Sequence, residues 1–188
     1  MKADKIEKFM QLAGQPISKL LTEGTEEQRK LGARLLLSEV LEYVIRGLGI
    51  EPEINGVRIS DPDAVQYVCT GSPDKLEMVD GLGDVAYTMY WNACAFGIPL
   101  EQAFELVCDN NLEKFVRLEK NGFQPGVLPR EAWHCNRNIR WPDEVVKVEV
   151  IKSGADYFAV GKDNRGKVRK PSSYTNVDLS SLLDKSPA

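Results

Sequence analysis

The chain has 188 residues, 43% hydrophobic and 28% charged, enough for one well-packed core with a small appendage. A formal net charge of −4 and a pI near 5.2 give no basic footprint, which argues against duplex nucleic acid as a partner. No apolar run is long enough to cross a bilayer and MKADKIEKF is too charged for a secretory signal, so no membrane association and a cytoplasmic location are expected.

In chain order, Asp4 to Gly14 reads as a short amphipathic helix with Ile6, Phe9, Met10 and Leu12 on its buried side. Thr25-Glu26-Glu27-Gln28 is an N-terminal cap with acids in the first turn, and Leu31 to Leu48 then repeat at helical spacing until Gly47 and Gly49. Leu36, Leu37, Val40, Leu41, Val44 and Leu48 form a broad apolar arc, with Glu39 and Glu42 outside it. Two such glutamates are ordinarily a solvated face, but Leu35 and Tyr43 share their stripe. Residues 51–74 hold three prolines and two glycines and read as a loop with one helical turn around Ala64 to Val68.

Ser72-Pro73-Asp74 starts the next helix, Lys75 to Gly97, in which Met78, Leu82, Val85, Ala86 and Met89 are apolar on one side. Glu77, Asp80 and Asp84 stand three and four residues apart, within roughly 60° of one another at about 100° per residue. Their stripe runs on into Thr88, Trp91 and Ala95, so both faces are expected to be packed and the acids to look into a pocket. A further helix is expected over Leu100 to Leu118, with Phe104, Val107, Cys108, Leu112 and Phe115 inward and Asn110, Asn111, Lys114 and Arg117 on the polar side.

From Asn121-Gly122 to Pro142 the chain is loop-like, with Trp133, Asn136 and Trp141 in it. Val145 to Ile151 and Tyr157 to Val160 read as a hairpin turning at Ser153 to Asp156. Because an isolated hairpin is marginal, it must lean on the helices or on a partner chain. Lys162, Arg165, Lys167, Arg169 and Lys170 then cluster ahead of Tyr174. The expected organisation is a helical catalytic core over 1–120, with 121–188 as a loop, hairpin and basic extension packed on it.

Cys69, Cys94, Cys108 and Cys135 form no CxxC pair and His134 is the only histidine, so the chemistry is expected to rest on carboxylates, lysines and arginines. Two acidic stripes on neighbouring helices suggest a divalent-metal site. Like charges about 4 Å apart repel by roughly 4 kcal/mol at an effective dielectric of 20. Oxygen-only donors favour Mg²⁺ or Mn²⁺.

The order SEVLE, EMVDGLGDVAY and NNLEKFVR resembles the all-α nucleoside triphosphate pyrophosphohydrolases of the MazG-like group, and within it the phosphoribosyl-ATP pyrophosphohydrolase-like branch. KIEKFMQLAGQP and GKVRKPSSYTNVDL resemble the segments that open and close that branch. The family pattern is EExxE followed by ExxD. Here Ser38 replaces the first glutamate of the pair. Aligning Asp84 with the final aspartate puts Gly81 at the glutamate position, with Asp80 beside it, and the register Glu77 with Asp80 fits as well.

The resemblance implies a mainly α chain, a helical bundle of the all-α NTP pyrophosphatase type with a small C-terminal β-hairpin and tail. It implies a metal-dependent reaction that splits a nucleoside triphosphate into monophosphate and pyrophosphate. Glu39, Glu42, Asp80 and Asp84 would hold Mg²⁺ or Mn²⁺, with Glu39, Glu42 and Glu77 catalytic. Asn111, Lys114, Lys167, Lys170 and Tyr174 would bind the phosphates, and Trp91 the base, as Trp133 or Trp141 also could. A homodimer or a dimer of dimers is implied too. From a different class, the alternative is a catalytically silent helical oligomer that binds a nucleotide or a protein.

Overall fold

A computed structural model describes residues 3–119, 122–135 and 138–183; Asn121 and Asn136 of the expected loop lie outside them. The chain divides into two compact units, Met1–Ile17 with Thr88–Ala188, and Ser18–Tyr87.

The expected helical bundle is overturned. The chain is 43% helix and 15% strand, with four helices and two antiparallel sheets, of four and two strands, among the described residues. The helices are α1 (Asp4–Ala13), α2 (Glu26–Glu42), α3 (Lys75–Phe96) and α4 (Leu100–Leu112). The strands are β1 (Glu53–Ile54), β2 (Val57–Arg58), β3 (Val116–Leu118), β4 (Gly126–Val127), β5 (Val145–Ser153) and β6 (Asp156–Asp163). No described helix is long and apolar enough to cross a membrane.

In the first unit the large sheet runs β3-β6-β5-β4, all antiparallel. The expected hairpin is its centre, and the strands beside it came from segments read otherwise. The helix expected to reach Leu118 stops at Leu112, where the N–H groups of Glu113, Lys114 and Phe115 bond three residues back in a tightened last turn. Val116-Arg117-Leu118 then alternates buried, exposed, buried, and Val116 pairs with Ala159. β4 emerges from the expected loop, with Gly126 opposite Val150.

Successive β6 residues face opposite sides, so both faces of the sheet need cover. On one side Ala159 joins Val116, Leu118, Cys135, Ile139, Val148 and Val150, with Trp133 and Trp141 against them. Burial pushes the Cys135 thiol up to about 11. On the other, Val160 packs with Leu12, Ala13, Phe115 and Val168. That second core docks α1, where Phe9 meets Phe115 edge-on with ring centroids 5.1 Å apart. Gly14, at φ 66°, ends the helix in the left-handed region that favours glycine. Of the expected apolar side of α1, Leu12 is buried whereas Ile6 is exposed.

In the second unit, Thr25 caps α2 with a complete capping box. Its Oγ1 accepts from the Gln28 N–H at 3.2 Å, and Gln28 Oε1 accepts from the Thr25 N–H at 2.7 Å. The helix continues as a π-helical turn over Tyr43–Gly47. Residues 51–74 are more structured than a loop. Asn55-Gly56, both at positive φ, turns β1 into β2, and the helical turn lies at Pro62–Ala64 rather than Ala64 to Val68. Asp74 Oδ1 accepts the N–H groups of Leu76 and Glu77 at 2.8 and 3.3 Å and so starts α3.

The packing expected for α3 is absent: no residue of the helix is buried. Leu41 and Pro62 are the buried residues of the second unit.

Candidate functional site

Glu39 and Glu42 lie on α2, and Glu77, Asp80 and Asp84 on α3, all exposed. Helical spacing does align each set, yet among the described residues no group of three carboxylates, histidines or cysteines comes close enough to hold a metal ion. The donor type therefore suits Mg²⁺ or Mn²⁺, whereas the arrangement within one chain does not form a cage for it. Glu42 is paired with Arg46 one turn on. Glu39, Glu77, Asp80 and Asp84 have no ion pair among the described residues. Trp91 is 57% exposed on the same helix.

The residues expected to bind phosphate lie in the first unit, and several gather at the end of α4. Lys114 Nζ donates to Asn111 Oδ1 at 2.6 Å and lies 5.7 Å from the centre of the Phe9 ring. The tail returns to the same helical turn. The Tyr174 hydroxyl donates to Asn110 Oδ1, and Asn110 Nδ2 donates to the Thr175 carbonyl at 2.7 Å. Burial, and then the Glu113 carboxylate, push the Tyr174 hydroxyl above its ordinary pKa. Lys170 Nζ sits 4.6 Å from the centre of the Tyr174 ring and donates to Asn176 Oδ1 at 3.2 Å.

Sequence reasoning placed Asn110 on a polar side; it is buried and anchors the tail. Its signal was the pair Asn110-Asn111 at a helix end, where a side-chain amide can bond a returning strand. Asn110→Ala removes both tail contacts and should cost about 1–3 kcal/mol. Chemical denaturation of the purified variant measures this; an unchanged midpoint would mean that the tail contributes nothing to the fold.

Much of the basic cluster has structural work. Lys162 pairs with Glu149 at 2.8 Å and Arg169 with Asp163 at 2.8 Å. Lys167 lends its backbone N–H to Asp163 and its side chain is exposed. The two tryptophans offered for base stacking are also committed: Trp133 Nε1 donates to the Leu128 carbonyl and Trp141 Nε1 to the Trp133 carbonyl, at 3.2 and 2.9 Å.

Fold and side chains together define an α+β protein with a two-sided antiparallel sheet in one unit and a carboxylate-bearing helix, α3, none of whose residues is buried. Compared with protein-family models, curated proteins and solved structures, the chain matches none of them.

Proposed function

We propose that the chain is a cytoplasmic nucleoside triphosphate pyrophosphohydrolase that uses Mg²⁺ or Mn²⁺. The observation that carries this reading is the set of exposed carboxylates without ion pairs among the described residues, Glu39 on α2 and Glu77, Asp80 and Asp84 on α3, the last three at one-turn spacing on one side of a continuous helix. Acids left unneutralised at such spacing repel one another, and a bound cation relieves that repulsion. The resemblance of the α2, α3 and α4 segments to the pyrophosphohydrolases points the same way. In the reaction, water adds to a phosphorus, the anhydride bond to the departing pyrophosphate breaks, and a carboxylate such as Glu77 takes the proton of the water. Lys114 and Asn111, and from the tail Lys167, Lys170 and Tyr174, are proposed to hold phosphate oxygens.

A panel of standard and modified nucleoside triphosphates, phosphoribosyl-ATP included, should yield pyrophosphate only with Mg²⁺ or Mn²⁺. Glu42→Gln and Asp84→Asn should each lower the rate by about 100-fold or more, the scale of losing a transition-state electrostatic contact. Undiminished activity in both folded variants would remove these residues from the site.

A second reading, a catalytically silent oligomer that binds a nucleotide or protein, is favoured by the failure of the described acids to converge on a metal. It expects the melting temperature to rise when the acids are neutralised and to ignore added Mg²⁺.

A further inference from the structure

Within the first unit a cavity of about 450 Å³ is lined, among the described residues, by His134, Asn138, Ile139 and Arg140. That size falls in the range of small-molecule sites, about 300–1,000 Å³. Local bonds build its wall. The Ile139 N–H donates to the His134 carbonyl at 3.1 Å, and Cys135 and Ile139, both buried, join the core of the sheet. Cys135 and Asn138 hold φ of 51° and 54°, left-handed angles that side chains seldom adopt and that concentrate at ligand sites. The tail fixes the far end: Ser172 Oγ accepts the Arg140 N–H at 3.0 Å, and the Ser172 N–H donates to the Arg140 carbonyl at 2.8 Å. With its backbone pinned on both sides, Arg140 still carries an exposed side chain.

The charge of this wall is uncompensated. His134 and Arg140 have no ion pair and no side-chain hydrogen bond among the described residues, and the sequence from His134 to Arg140 contains no acid. A cavity in the second unit is the opposite case, lined by Glu51 and Glu53 with Arg58, which already pairs with Glu53 at 3.6 Å.

We infer that the cavity at His134 to Arg140 binds a small phosphomonoester, a terminal phosphate carried on an organic group. Three donor groups answer its three terminal oxygens: the guanidinium fork of Arg140, an N–H of the His134 ring and the side-chain amide of Asn138. A carboxylate presents two oxygens and would leave a donor unused. The volume exceeds what one phosphate fills, and Ile139 supplies an apolar wall for the organic group. None of these residues is among those proposed for pyrophosphate release, so the site stands independently of that reading.

His134 is the only histidine, so its ring gives a single imidazole resonance at the wall of the cavity. At fixed pH and ionic strength, AMP should shift that resonance saturably and inorganic phosphate more weakly, while dimethyl phosphate, a singly charged diester, should leave it in place. Arg140→Ala removes a side chain that the described fold does not use, and should weaken AMP binding about tenfold or more, the scale of losing a hydrogen bond to a charged group. Asn138→Gly keeps the left-handed turn, which glycine adopts freely, and should weaken it about fivefold. The absence of a saturable shift with AMP, or unchanged affinity in Arg140→Ala, would overturn the inference. An equal shift by dimethyl phosphate would reduce the effect to nonspecific anion association and overturn it too. AMP binding no tighter than inorganic phosphate would overturn the organic part of the ligand.

Discussion

Gly161→Ala is expected to destabilise the sheet unit by about 3 kcal/mol or more, at the upper end for overfilling a packed site. A Cβ added at Gly161 would lie 2.3 Å from Trp141 Cε3 and 2.7 Å from Cζ3, far inside van der Waals contact. The indole cannot swing aside cheaply, because its Nε1 donates to the Trp133 carbonyl and its ring packs against the buried sheet residues. Gly161 is therefore glycine because a ring lies flat on β6 there, not because of its backbone angle. Urea unfolding followed by tryptophan fluorescence should show the drop in midpoint. Adding Trp141→Leu to the variant should recover part of it, and a Gly161→Ala midpoint equal to the parent would show that the ring has room to move.

Asp163→Ala is expected to cost about 3–5 kcal/mol, the range for breaking a buried ion pair from one side. Asp163 is buried, and burial is the largest single influence on its carboxyl, acting to raise the pKa. The N–H groups of Lys167 and Arg165 and the Arg169 guanidinium together outweigh burial and hold it below the usual carboxylate range. Oδ1 accepts the Arg165 and Lys167 N–H groups, both at 2.9 Å, and Oδ2 accepts Arg169 Nε at 3.0 Å and Nη2 at 2.8 Å. A depressed folded-state pKa makes this stability fully present above the unfolded value near 4 and lost as pH falls through the folded one. The parent should thus lose stability on acidification below about pH 4 in proportion to the shift, and Asp163→Ala should lose less. Parallel pH profiles for the two proteins would show that other groups set the acid limb.

How much was legible in the sequence differs with the range of the interaction. Thr25-Glu26-Glu27-Gln28 and Asp74 announce helix starts because a cap bonds N–H groups two or three residues away. The β5–β6 hairpin was legible for the same reason, its strands being joined by one tight turn. Asn55-Gly56 carried an equally local hairpin signal that was read as part of a loop. β3 was not legible as a strand, because Lys114-Phe115-Val116-Arg117-Leu118 continues an apolar helical pattern and its strand partner, Tyr157 to Ala159, lies some 40 residues on. The mainly α expectation failed at that point and at β4.

The candidate site divides along the same line. The sequence by itself determined that Glu77, Asp80 and Asp84 share one side of α3 and that Glu39 and Glu42 stand one turn apart on α2, since spacing on a single helix follows from its pitch. Only the tertiary structure decided that the two sets form no group of three acids close enough for a metal, that Asn110 anchors the tail, and that no residue of α3 is buried. The physical reason is that a residue's neighbours across space are set by which distant segments pack together, and helical period carries no information about that choice.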